Sequence, residues 1–165
     1  MTSGPQLVVQ ILLWGAFATV AMTALLYGAQ SFGWSRLNLP FLVGTLFTGE
    51  RAVANVIGFA LYALGGWLMA FVYYLAFALV GRASLFAGLM MGAVHGLVLL
   101  AVVLPLAPYA HPRMASPYQG PTAMKRLEPP GFLGMHYGYR TPLVALAAQC
   151  LYGALLGWGW SGLVS

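Results

Sequence analysis

The sequence predicts an all-α membrane protein, with four transmembrane helices and a long Pro-rich loop between helices 3 and 4. Three observations carry that prediction. Only 5% of the 165 residues are charged, against roughly 25% in soluble domains. Hydrophobic residues make up 61% and mean hydropathy is +0.85. Four apolar stretches, each free of Lys, Arg, Asp and Glu, reach the roughly 20 helical residues that a hydrocarbon core of about 30 Å requires. So few ionisable groups cannot cover a water-facing surface of this size. A soluble globular domain, a nucleic-acid binder, a disordered tail and a secreted disulfide scaffold are all excluded on this ground.

The spans follow in chain order. The first covers about 7–29 and is interrupted in polarity only by Gln10, Thr19 and Thr23. Residues 1–6 lack Lys and Arg and the apolar run exceeds a signal-peptide core, so a retained span is expected rather than a cleaved leader. Residues 37–49 are uncharged but too short to cross; Pro40 and Gly44 argue against one undisturbed helix there, and the segment reads as re-entrant or interfacial. The second span, about 52–80, carries Trp67, Phe71, Tyr73, Tyr74 and Phe77, which suggest an aromatic belt near one interface. A short turn from Gly81 to Ser84 around Arg82 leads to the third span, about 85–106, which Pro105 and Pro108 are expected to end.

Residues 107–140 form the one extended polar region. The stretch 105–130 holds seven of the ten prolines, so an irregular or polyproline-like loop is expected rather than a separate domain. The fourth span covers about 142–160. Thr141 is expected to cap its first turn, Pro142 loses no hydrogen bond at the first helical position, and Trp158 and Trp160 should anchor the far end at the headgroups. The whole of 1–165 therefore reads as a single integral membrane domain.

Orientation follows from the cations. Four spans place the termini and Arg82 on one side, and Arg36, Arg51, Arg113, Lys125, Arg126 and Arg140 on the other. The positive-inside rule makes loops 30–51 and 107–141 cytoplasmic and puts both termini outside, in a multi-pass protein of the cell membrane. The basic pI of about 9.7 is then topology information and not a nucleic-acid footprint.

Small residues form stripes where helices can approach closely in lipid. Gly88, Gly92 and Gly96 recur every fourth residue on the third span, and Gly153 and Gly157 do so on the fourth, with Gln149 one turn earlier. Gly15, Thr19 and Thr23 make a similar stripe on the first. Packing within the bundle is the ordinary reading of such stripes; a homo-oligomer contact is the sharper alternative.

His95 is the one side chain inside a span that titrates near neutrality, and intramembrane ionisable groups are functional candidates by default. Gln149, Thr19, Thr23 and Tyr62 are candidate partners. A neutral histidine hydrogen-bonded across the bundle competes with a proton, quinone or haem role. A bis-imidazole haem needs a second histidine at matching depth, and the chain offers none, because His111 and His136 flank the third loop. His111, His136 and Glu128 match no metal-ligand spacing, so no metal or cofactor is expected. Cys150, the single cysteine, reads as a buried structural thiol. No nucleophile motif or phosphate-binding glycine loop occurs.

The strings LNLPFLVGTLFTGERA (37–52), HGLVLLAVVLPLAPYAHPRMAS (95–116) and LEPPGFLGMHYGYRTPLVALAAQCLYGALLG (127–157) resemble a family of small bacterial four-helix integral membrane proteins to which no activity is assigned. HPRM at His111 to Met114 and PGFLGMHYG at Pro130 to Gly138 carry the likeness. It implies four membrane helices and a patterned cytoplasmic loop, and no catalytic or ligand residue. Within that loop, Phe132, His136, Tyr137 and Tyr139 supply contact area beside Pro129, Pro130, Gly131 and Gly134. A binding surface and a stretch lying on the membrane both fit.

Two functions from different classes are therefore expected to compete. One is a non-enzymatic structural or accessory subunit contacting the lipid bilayer, a second copy or a membrane-protein partner. The other is a small redox, proton or ligand-handling module centred on His95, with His111, His136, Tyr137 and Gln149 as further ligand-binding candidates. A lipid-modifying enzyme would need Glu50, Glu128, His111 and His136 to converge on one position. The orientation predicts that a reporter fused after Ser165 is active only when exported; activity confined to the cytoplasm would overturn it.

Overall fold

The computed structural model describes residues 4–116 and 118–164, and these are helical apart from the connections. In order come α1 (Gly4–Ser31), α2 (Leu39–Gly44), α3 (Arg51–Val80), α4 (Leu85–Val98), a π turn (Leu99–Val103), α5 (Leu104–Ala110), a 3-10 segment (Phe132–Tyr137) and α6 (Thr141–Gly159). Four helical rods are long and apolar enough to cross a membrane: Gly4–Ser31, Arg51–Val80, Leu85–Ala110 and Thr141–Gly159.

The third rod does not stop at Pro105 and Pro108. The Leu104 N–H reaches back to the Leu99 carbonyl, a wider turn than the α form, just before a proline that can neither donate nor tolerate the carbonyl four residues earlier. Pro105 then occupies the opening turn of α5, and the helix continues to Ala110. The connecting loop accordingly begins at His111 rather than at 107.

Pro40 likewise starts a helix. Asn38 caps α2, its Oδ1 accepting the Phe41 N–H at 3.0 Å, and Pro40 sits in the first turn. Gly44 and Gly58 let α2 lie backbone to backbone against α3. A Cβ on Gly44 would overlap the Ala54 carbonyl, and one on Gly58 the Pro40 carbonyl. At the start of α6 the Thr141 hydroxyl lies 2.9 Å from that of Ser35, so it serves a tertiary contact rather than the cap expected of it.

The chain forms two compact units, each fed by all four rods: 1–25, 63–96 and 146–165 make the first, and 26–62 with 97–145 the second. In the first unit the glycine rows face each other. A Cβ on Gly88 would overlap the Gly153 carbonyl and one on Gly153 the Gly88 carbonyl, while Gly92 lies on Gln149 and Cys150 and Gly157 on Ser84. Backbones in such contact gain dispersion and Cα–H···O attraction that lipid tails cannot match. Cys150 beside them is half-buried, less enclosed than the sequence suggests.

Elsewhere in this unit, side chains bond backbone carbonyls. Thr19 and Thr23 bond carbonyls one turn back, at 2.7 and 2.6 Å. The Tyr152 hydroxyl donates to the Gly66 carbonyl at 2.6 Å, and Trp67 Nε1–H to the Leu12 carbonyl at 3.1 Å. The aromatic belt expected on the second span divides by helix face. Trp67 and Phe71 stay exposed, but Tyr73 and Phe77 are buried one turn apart with Ala70, the spacing of an inward stripe. Trp160 is fully buried against Tyr74 and Phe77, with ring centroids 5.8 and 6.2 Å away. It is a core residue and not a headgroup anchor; Trp158, still exposed, packs edge-on to Trp14.

Gly88→Ala places a methyl in the Gly153 carbonyl and should cost about 1–3 kcal/mol through forced helix separation, read as a lowered unfolding midpoint in detergent. Gly28→Ala, which meets nothing within 4 Å, should be neutral or slightly stabilising in the same assay.

Candidate functional site

Polar side chains that could do chemistry gather in the second unit, where residues of the three loop strings meet. The HPRM string fastens α2. The Arg113 backbone N–H donates to His111 Nδ1 at 3.2 Å, so Nδ1 is an acceptor and the ring carries its proton on Nε2. That nitrogen lies 3.1 Å from the Leu42 carbonyl and 3.2 Å from Thr45 Oγ1. Arg113 Nη1 donates to the carbonyls of Thr45 and Leu46, at 2.7 and 3.1 Å. A six-residue helix ends with carbonyls that have no intrahelical donor; the His111 imidazole and the Thr45 hydroxyl, 2.8 Å from the Leu42 carbonyl, serve those in α2, and the guanidinium serves the two that follow it. Met114, fully buried, then bridges to Leu127, with backbone bonds of 3.0 Å from Leu127 to Arg113 and from Ala115 to Leu127.

The PGFLGMHYG string is organised around Arg36. The Arg36 backbone N–H donates to the Tyr137 carbonyl at 2.7 Å and its guanidinium to the His136 carbonyl at 2.5 Å. The same guanidinium lies 3.2 Å from the Glu128 carboxylate, an exposed pair that adds at most about 1 kcal/mol. The Tyr137 hydroxyl donates to the Glu128 carbonyl at 2.7 Å. Burial and the Glu128 charge push that phenol up to about 12, against an opposing effect of Arg36.

The backbone of this loop is unusual. Gly131, Gly134 and Gly138 take positive φ, and so does Leu133 at φ 53°, a conformation that costs a non-glycine residue of order 1 kcal/mol or more. At Gly131 a second constraint applies, because a Cβ would meet the His136 ring at 2.8 Å. His136 Nδ1 in turn lies 2.9 Å from the Pro129 carbonyl. Beside the loop, the Arg140 guanidinium lies over the rings of Trp34 and Tyr139, 5.5 and 5.1 Å from their centroids.

An open pocket of about 390 Å³ lies in the same unit, lined by Gln30, Ser35, Arg36, Asn38, Phe41, Arg51 and Asn55. Nothing in the sequence singled it out, because its residues come from the end of α1, the start of α3 and the segment between them.

The expected site residues thus separate into groups. His111 joins α2, and His136 and Tyr137 join Arg36 and Glu128. Glu128 faces Arg36, His111 faces Leu42 and Thr45, and His136 faces Pro129, so these side chains turn to different partners. Among the described residues no three of His, Cys, Asp and Glu come together in a way that could hold a metal ion. Of the four residues that a lipid-modifying site requires together, Glu128, His111 and His136 turn to Arg36, Leu42 and Pro129 respectively.

His95 lies in the first unit, its Nδ1 3.3 Å from the Tyr73 hydroxyl. The Tyr73 ring stacks edge-on to Tyr152 at 5.5 Å. Gln149 is buried on α6 with its Oε1 lacking a hydrogen-bond partner. Sequence reasoning missed Tyr73 because it was grouped with the interfacial aromatics. Its spacing from Ala70 and Phe77 was the signal that could have found it. No family model, curated protein or solved structure matches the chain.

Burial lowers the His111 pKa below its usual 6.5, Arg113 adds to the effect, and the Leu42 carbonyl opposes it. The unfolded chain therefore takes up this proton first. Stability from neutral His111 is complete above pH 6.5 and is lost as pH falls toward the lowered folded value. The unfolding midpoint should drop below pH 6.5 in detergent, and His111→Gln should flatten that dependence while lowering the midpoint at pH 8 by the loss of the Leu42 contact.

Proposed function

We propose that the protein is a structural or accessory subunit of the cell membrane, without catalytic activity of its own. Its loop face in the second unit would be the surface offered to a partner. One observation carries the reading: the histidines and the Glu128 carboxylate, the side chains best suited to acid–base or ligand chemistry, are engaged in holding backbone and helices. His111 supports α2, His136 folds onto Pro129, His95 faces Tyr73 and Glu128 pairs with Arg36.

The orientation belongs to the same proposal. All six cations assigned to the cytoplasmic loops lie in the second unit, and Arg82 lies in the first, which is the asymmetry that the positive-inside rule uses. The likeness to small bacterial membrane proteins is also part of it, since residues of the three strings that carry the likeness meet in this unit. Exposed Phe132, Tyr139 and Met135 beside a backbone shaped by positive-φ glycines give the surface the aromatic area that partner recognition favours.

A second reading has its own observation. The unpartnered Gln149 Oε1 is a buried acceptor, and such atoms cost about 1–3 kcal/mol unless a donor arrives. A hydroxyl-bearing ligand such as a quinol, in a module centred on His95, would supply one.

Purification from native membranes in mild detergent separates the two. The subunit reading expects a stoichiometric protein partner that is lost on Phe132→Ala with Tyr139→Ala, while the fold keeps its unfolding midpoint. A Soret band, an extractable quinone, or a near-neutral spectroscopic titration abolished by His95→Ala would instead establish the module.

A further inference from the structure

The pocket in the second unit has a chemistry that the subunit reading does not use. Its two charged lining residues, Arg36 and Arg51, are both guanidinium, and no carboxylate lines it. The other polar groups are amides and a hydroxyl, several with their acceptors already taken. Asn38 Oδ1 receives the Phe41 N–H and Ser35 Oγ the Leu37 N–H, so the Asn38 NH₂ is left as donor. The Arg51 side chain makes no hydrogen bond or ion pair among the described residues, unlike those of Arg36 and Arg113, which hold loop carbonyls. Glu128 offsets part of the Arg36 charge from 3.2 Å without entering the lining.

Position adds a second constraint. Gln30 belongs to the last turn of α1, and Arg51 and Asn55 to the first two turns of α3, so the pocket opens where two membrane-length helices end. The first amides of α3 have no intrahelical acceptor; no acidic residue lies among them, and Glu50 precedes them at the cap, its carbonyl accepting the Ala54 N–H at 2.8 Å. Phe32 and Trp34, adjoining the lining in sequence, stack 5.6 Å apart and are exposed, as amphipathic residues at a headgroup boundary are.

We propose that this pocket binds a phosphate ester anion, gripped between Arg36 and Arg51 with the Asn38 and Asn55 amides as further donors. Guanidinium forks match phosphate oxygens in pairs of parallel hydrogen bonds, and basic pockets at the ends of membrane helices take phosphorylated headgroups. A volume of about 390 Å³ suits a glycerophosphate group, lying toward the small end of ligand pockets. The proposal stands whether or not a protein partner is found, because it concerns different residues from the exposed loop aromatics.

The test is a titration of the full chain in neutral detergent, reading the unfolding midpoint and bound ligand by native mass spectrometry. The probes are phosphatidylglycerol in mixed micelles, phosphatidylcholine as the zwitterionic control, and soluble glycerol 3-phosphate. Saturable stabilisation by phosphatidylglycerol but not by phosphatidylcholine, weakened roughly ten-fold or more by Arg51→Gln and also by Asn55→Leu, supports a lipid source. The same pattern with glycerol 3-phosphate supports a soluble ester. Arg126→Gln, which removes an equal charge outside the pocket, should leave the response intact. The proposal is overturned if no anion stabilises the protein, if Arg51→Gln and Asn55→Leu both respond as the wild type does, or if Arg126→Gln weakens binding as much as Arg51→Gln.

Discussion

Carbonyl groups that helices leave unpaired are the constraint on which this structure depends. Where water is scarce, each such oxygen needs a donor from within the protein or costs several kcal/mol. A chain with seven cationic side chains has few strong donors, and two of them, Arg36 and Arg113, stand at such oxygens. Arg113 serves Thr45 and Leu46, Arg36 serves His136, His111 serves Leu42, and Gln30 serves Leu37 at 2.9 Å. Along the rods, aromatic donors add a second bond to carbonyls inside helices, Tyr152 at Gly66 and Trp67 at Leu12. The polar residues are thus distributed by the needs of the backbone, and this explains why residues that look catalytic in a sequence turn out dispersed.

Close helix contact follows a different rule. With no hydrophobic gain available between helices in lipid, contact depends on how near two backbones can come. Gly88, Gly92, Gly153 and Gly157 remove the side chains that would hold α4 from α6, and Gly44 and Gly58 do so for α2 and α3. Large aromatic residues pack against one another elsewhere, as Trp160 does beside Tyr74 and Phe77. Small residues therefore stand where backbones touch and aromatic rings where side chains meet, with hydrophobicity high at both.

That uniformity sets what could be read from the residues alone. The four rods were legible because length and the absence of charge determine them, and their ends fall within a few residues of the expected ones. The glycine rows were legible because a spacing of four places them on one helix face. The extension of the third rod past Pro105 was not, since a π turn leaves no compositional mark, and α2 looked too interrupted because Pro40 was read as a breaker rather than a starter. Tyr73 and Trp160 were misassigned for a related reason: aromatic residues suit an interface and a bundle interior equally well. The pairings of His111 with Leu42 and of Arg36 with Tyr137 and Glu128 span gaps that no local pattern encodes. The pocket shares that origin.

The fastening of α2 has a consequence in time. Its carbonyl at Leu42 takes the nearby Thr45 hydroxyl and, from 69 positions away, the His111 ring, so during synthesis the acceptor leaves the ribosome well before its second donor exists. At roughly 5–20 residues per second the interval is about 3 to 14 s, while α3 and the third rod are still being delivered. Six residues cannot hold a helix unaided for that period. The stretch between the first two rods therefore takes its final form only after the chain beyond Ala110 has emerged and returned to it.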